Sequence, residues 1–151
     1  MIWFWLKNSR IFSLPMAILS WLVIFVYALK NGGNIINGIT ALIGISFAQL
    51  ATNLFDDYMD YKNLPPNSQQ AKCAYIKDGK ATLKDVLKVV ILYLSISTLT
   101  GLFLLIRCGI PVIGLALIGG IIALLYSKMS QRGFSELAVG ITFGPLLFEG
   151  V

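Results

Sequence analysis

An all-α, membrane-embedded helical bundle is the fold this sequence predicts, and three observations point to it. Of its 151 residues, 57% are hydrophobic and only 13% are charged, with a mean hydropathy of +0.79. Soluble domains carry about a quarter charged residues. The apolar residues gather into five runs of membrane-crossing length, at about 11–29, 35–55, 86–106, 110–126 and 134–151. Basic residues sit in the short loops between these runs, so the net charge of +5 reads as a topology signal and not as a nucleic-acid surface. One domain covering 1–151 is expected.

The first residues, 1–10, set Trp3, Phe4 and Trp5 beside Lys7 and Arg10. That mix suits an interfacial amphipathic segment, with rings at headgroup depth and cations in water. The first run lacks a small-residue cleavage site and is long enough to span, so no cleavable signal peptide is expected. Pro15 stands near its start, where a missing N–H is cheapest. Lys30-Asn31-Gly32-Gly33-Asn34 predicts a tight turn into the second run.

A polar loop at 56–84 follows, with Lys62, Lys72, Lys77, Lys80 and Lys84, and with Pro65-Pro66 breaking regular structure. Thr82 is placed to cap the third helix. Arg107-Cys108-Gly109 is a short turn, and 127–133 is the next basic loop. Gly114, Gly119 and Gly120 are expected to permit close helix packing. An N-terminus inside puts ten of the twelve Lys and Arg residues on the cytoplasmic face, leaving only Lys30 and Arg107 outside. Cys73 and Cys108 then fall on opposite sides, which argues against a disulfide between them. The chain has no His, which excludes His-based acid–base catalysis and His metal ligation.

The stretch that carries chemistry is 49–60, QLATNLFDDYMD, at the exit of the second run. On a helix, Gln49, Asn53, Asp56 and Asp60 fall within roughly 60° of one another, with Asp57 flanking. Three carboxylates at a helix C-terminus repel one another and add to the negative end of its dipole, so a cation must offset them unless they are fully solvated. The D-D-x-x-D spacing suits a hard divalent ion such as Mg²⁺, shared with a phosphate-bearing substrate. The loop lysines would then take up remaining phosphate charge. The alternative is an acidic patch where a membrane helix meets water.

These residues carry a resemblance. Ser9-Arg10-Ile11-Phe12-Ser13-Leu14-Pro15, Gln49-x-x-x-Asn53-x-x-Asp56-Asp57-Tyr58-x-Asp60, Gly79 with Thr82, Tyr126, Gly133-x-x-Glu136-Leu137 and Phe143-Gly144 stand in the order found in the UbiA superfamily of intramembrane prenyltransferases. The chain is most similar to the 1,4-dihydroxy-2-naphthoate polyprenyltransferase branch, which serves menaquinone biosynthesis. The resemblance implies a nine-helix fold of which this chain matches the amino-terminal half, in a multi-pass cell-membrane protein. It also implies Mg²⁺-dependent transfer of a polyprenyl group from a polyprenyl diphosphate to an aromatic acceptor. In that reaction Mg²⁺ stabilises the leaving diphosphate, the allylic C–O bond ionises and the electron-rich ring captures the cation.

Carried over residue by residue, Asp56, Asp57 and Asp60 would be the metal and catalytic acids. Gln49, Asn53 and Tyr58 would support substrate binding. Lys72 or Lys77 would replace a family arginine that is not in register. Asp56 stands where the family has Asn, and Leu64 where an acid is common. The family's second aspartate-rich motif lies beyond the stretch matched, so this chain alone is expected to be an inactive fragment. Two alternatives remain open: a family member with another acceptor (4-hydroxybenzoate, haem, chlorophyll or an archaeal lipid), and a non-catalytic membrane scaffold or transporter module.

Overall fold

The computed structural model describes residues 2–63, 65, 73–131 and 141, and every regular element among them is helical. The order is α1 (Ile2–Asn8), a 3₁₀ turn (Ile11–Ser13), α2 (Leu14–Lys30), α3 (Ile35–Asn63), α4 (Ala74–Lys77), α5 (Leu83–Cys108) and α6 (Pro111–Gln131). Three segments are long and apolar enough to cross a membrane: Ile11–Lys30, Ile35–Asn63 and Leu83–Cys108. Only 11%, 22% and 11% of their most apolar windows is buried within the protein. Apolar helices this bare to their surroundings are compatible with a bilayer as solvent. The apolar part of α6 described is shorter, Pro111–Ile122. The fifth run expected at 134–151 lies outside the described residues, apart from Ile141.

Local chemistry explains the helix ends. At the end of α2, the Gly33 N–H donates to the Ala28 carbonyl (2.8 Å) and the Gly32 N–H to that of Leu29 (3.3 Å). This is the paired Schellman closure, and Gly32 takes its left-handed position at φ 86°. Asn34 then opens α3, its Oδ1 accepting from the Ile36 and Asn37 N–H groups at 2.9 and 3.2 Å. Thr82 caps α5 as expected, and the cap is reciprocal. Its Oγ1 accepts from the Asp85 N–H (3.2 Å), while Asp85 Oδ2 accepts from the Thr82 N–H (3.1 Å).

Two helices run past the apolar spans read from the sequence. α3 extends to Asn63, beyond the span 35–55, and carries all three acids within the helix. No Gly or Pro stands between Gly44 and Pro65 to break it. α5 begins at Leu83, ahead of the span 86–106, where the Thr82 cap fixes its start.

Among the described residues, glycine-mediated packing occurs at Gly38 and Gly44. A Cβ at Gly38 would enter the Phe25 ring, and one at Gly44 would stand 2.6 Å from Thr100 Oγ1. Gly38 thus joins α3 to α2, where Trp21 Nε1 donates to its carbonyl at 2.9 Å and stacks on Phe25. Gly44 joins α3 to α5. At Gly114 and Gly120 a Cβ would meet nothing within 4 Å among the described residues. The best-packed core lies at the other end of α3. There Leu50, Ala51 and Leu54 meet Tyr75, Ile76, Ala81, Val86, Val90 and Tyr93, with Phe4, Trp5 and Leu6 of α1 packed against them.

Candidate functional site

Because α3 continues as a regular helix, Gln49, Asn53, Asp56 and Asp60 stay on one face, as the spacing predicts. Against this face folds the N-terminal turn. Asn8 Nδ2 donates to the Phe4 carbonyl (2.8 Å) and Ser9 Oγ to that of Leu6 (3.0 Å), closing α1. Arg10 then adopts a left-handed conformation, φ 59°, ψ 52°, which reverses the chain into α2. It is the one non-glycine residue with positive φ among those described. Strained backbone of this kind persists where its surroundings over-determine it.

Those surroundings come from α3. Asn53 Nδ2 donates to the Ser9 carbonyl (3.0 Å) and to Ser13 Oγ (3.3 Å). Gln49 Nε2 donates to Ser13 Oγ (3.0 Å) and to the Ser13 carbonyl (3.2 Å). The two amides, expected to support substrate, therefore seat the 3₁₀ turn. Arg10 Nη2 lies 2.5 Å from Asp57 Oδ1 and 3.6 Å from Asp56 Oδ2. Asp56, Asp57 and Asp60 are 1%, 0% and 2% exposed, so this is a buried acidic face and not a solvated helix end.

The roof of the site is α4. Tyr75, buried, packs edge-on against the rings of Phe4 and Trp5. Burial, and then the charge of Asp57, push its ionisation above the usual phenol range. Cys73, also buried, donates its Sγ–H to the Asp57 carbonyl at 3.5 Å.

The remaining expected residues fall apart from this cluster. Tyr58 is half-buried, stacked on Phe55 with Lys62 Nζ 5.9 Å above its ring. Lys77 is exposed at the end of α4, and Lys72 lies outside the described residues. The sequence reading looked to the loop lysines for an offsetting cation; among the described residues Arg10, 47 residues upstream of Asp57, also brings one to the acids. Arg10, Ser9, Ser13 and Tyr75 were missed as site residues. The one signal for Arg10 was the cation that the acids require, and nothing in the local sequence says which cation folds back.

Among the described residues no group of three or more His, Cys, Asp or Glu side chains forms a metal-holding cluster. Mg²⁺ does not need one, since it is commonly held by one or two carboxylates with water and substrate phosphate completing the shell. Asp56 and Asp57 offer hard oxygens that already converge on one cationic group, so this pair fits the ion. Compared with protein-family models, with curated proteins and with solved structures, the chain matches none.

Proposed function

We propose that this chain is the amino-terminal part of a UbiA-type intramembrane prenyltransferase, with a polyprenyl diphosphate as donor and an aromatic ring, 1,4-dihydroxy-2-naphthoate, as acceptor. The observation that carries the reading is the buried acidic face of α3, at one end of a bundle whose flanks are bare apolar surface. Burying several carboxylates together is costly, and such clusters are kept where their charge is used. A water-soluble diphosphate would meet Asp56, Asp57 and Asp60 while its lipid tail lies along the helices. Mg²⁺, when bound, would supply positive charge to the leaving diphosphate. Asp56 and Asp57 would hold that charge, and Asn53 and Gln49 would keep the N-terminal turn seated beside it. The acidic end and the amino terminus would lie on the cytoplasmic side, as the basic-residue bias favours.

In a full-length enzyme carrying this part, Asp56→Asn or Asp60→Asn should lower turnover at least about 100-fold, or about 2.7 kcal/mol of barrier. Turnover near normal with both acids replaced would end the reading. The Arg10–Asp57 pair favours a second, non-catalytic reading, in which the acids only dock the N-terminal segment. In that case the same variants lose stability, and a folded variant keeps whatever activity the parent shows.

A further inference from the structure

A second surface of the bundle, apart from the acidic face of α3, has the make-up of a headgroup site. An open groove of about 460 Å³ runs between α1 and the start of α5, walled by Phe4, Trp5, Ala81 and Val89 and flanked by Lys80 and Lys88. Helical spacing puts Asp85, Lys88 and Val89 on one side of α5, while Val86, Val90 and Tyr93 turn into the core against α3. Both lysines are held loosely. Lys80 Nζ lies 3.3 Å from Asp78 Oδ2 and Lys88 Nζ 3.8 Å from Asp85 Oδ1, with the lysine side chains 63% and 79% exposed. Exposed pairs of this kind contribute little, and they give way to a phosphate that both lysines can reach. Asp85 also borders the groove, but its Oδ2 is committed to the Thr82 N–H and hydroxyl, at 3.1 and 2.7 Å.

The surroundings of the groove decide which anion fits it. Beyond Lys88, on the same side of α5, Leu92 and Leu99 are 56% and 67% exposed, an apolar strip leading away from the charged end. A soluble phosphate would use the lysines and leave the strip bare, whereas a phospholipid uses both. We propose that this groove holds an anionic phospholipid. Lys80 and Lys88 take its phosphate, Phe4, Trp5 and Val89 cover the glycerol, and an acyl chain lies along Leu92 and Leu99. Two lysines against one acid leave the groove net positive, and exposed Lys84, one turn before Lys88, adds to it. A headgroup with net negative charge is therefore preferred to a zwitterionic one. The basic-residue bias puts this end at the cytoplasmic leaflet, whose surface is the negative one. A lipid seated there touches α1 and α5 together and so fastens the amino-terminal segment to the bundle. The site does not depend on reading the acids of α3 as cation ligands.

The test offers the full chain, in detergent micelles, an equimolar mixture of phosphatidylglycerol and phosphatidylcholine. Native mass spectrometry reads which lipid stays bound. The parent chain should retain phosphatidylglycerol in preference. Lys80→Gln and Lys88→Gln should each weaken that retention about fivefold, the equivalent of about 1 kcal/mol per lysine at a lipid surface. Replacing both lysines by Arg keeps the charge and should keep the lipid. Lys62→Gln removes a cation from the same end of the bundle, on α3 and outside the groove, and should leave retention at the parental level.

Both lysine side chains are mostly exposed, so replacing them leaves the fold intact and the comparison readable. Equal retention of the two lipids by the parent would overturn the proposal, as would an unchanged preference when both lysines are Gln. An equal loss in Lys62→Gln would replace the groove with a diffuse attraction of the whole basic end. Displacement of the lipid by inorganic phosphate would make the occupant a soluble anion, and would overturn the proposal in the same way.

Discussion

Arg10 Nη2 and Asp57 Oδ1 stand 2.5 Å apart although 47 residues separate them along the chain. The pair ties the amino-terminal segment to the middle of the bundle, and Asp57 is completely buried. Removing one partner of a buried pair unbalances the charge of the other, whereas removing both removes the interaction with its two charges. Arg10→Met or Asp57→Asn should therefore each cost about 3 kcal/mol of stability, and the double variant clearly less than the sum. Denaturant unfolding in mixed micelles measures all three. Additive losses would mean that the two side chains do not act on one another.

The helices were legible because their causes are local. The Gly32-Gly33 turn and the Thr82 cap each act within a few residues and are found where expected, and three of the apolar runs lie on helices long enough to span. The acidic face was legible for the same reason, since helical spacing alone puts Gln49, Asn53, Asp56 and Asp60 together. What surrounds that face was not. The contacts of Arg10, Ser9, Ser13 and Tyr75 depend on how distant segments fold against α3, and no periodicity encodes them. The glycines show the same limit. Composition singled out 114, 119 and 120, but close approach depends on which helix lies opposite, and among the described residues it occurs at Gly38 and Gly44.

Substituting those glycines tests the helix contacts directly. Gly38→Ala drives a methyl into the Phe25 ring and disturbs the Trp21 hydrogen bond. It should cost about 1–3 kcal/mol, as overpacking does. Gly114→Ala meets nothing within 4 Å among the described residues. It should be neutral or stabilise by up to about 1 kcal/mol, through helix propensity alone. Thermal unfolding of the two variants in the same lipid should separate them. Equal effects would mean that Gly38 is not a contact point.

Tyr75 gives the site a pH dependence at the alkaline end. Its ionisation is raised in the folded chain by burial and then by the Asp57 charge. Below the ordinary phenol value of about 10, both folded and unfolded chains keep the proton and the packing contributes in full. Above that value the unfolded chain ionises first, so stability falls as pH rises. Tyr75→Phe should remove this component, giving a flatter decline in melting temperature above about pH 10. An identical alkaline decline in both proteins would show that Tyr75 does not carry it.

The two cysteines test both topology and burial. Cys73 Sγ lies against the Asp57 carbonyl, and Cys108 Sγ accepts from Asn37 Nδ2 at 3.2 Å. Asn37 and Asp57 are both on α3, and a helix rising 1.5 Å per residue puts them about 30 Å apart, the thickness of a hydrocarbon core. The thiols therefore mark opposite ends of one spanning helix and cannot form a disulfide with each other. They also differ in access, since Cys73 is buried and Cys108 exposed. A membrane-impermeant maleimide added to intact cells should label Cys108, which the basic-residue bias puts outside. Cys73 should stay unlabelled until the membrane is opened, and should react fully only after denaturation. Each single-cysteine variant separates the two signals. Labelling of both from the outside of intact cells would overturn the placement of the acidic end on the cytoplasmic face.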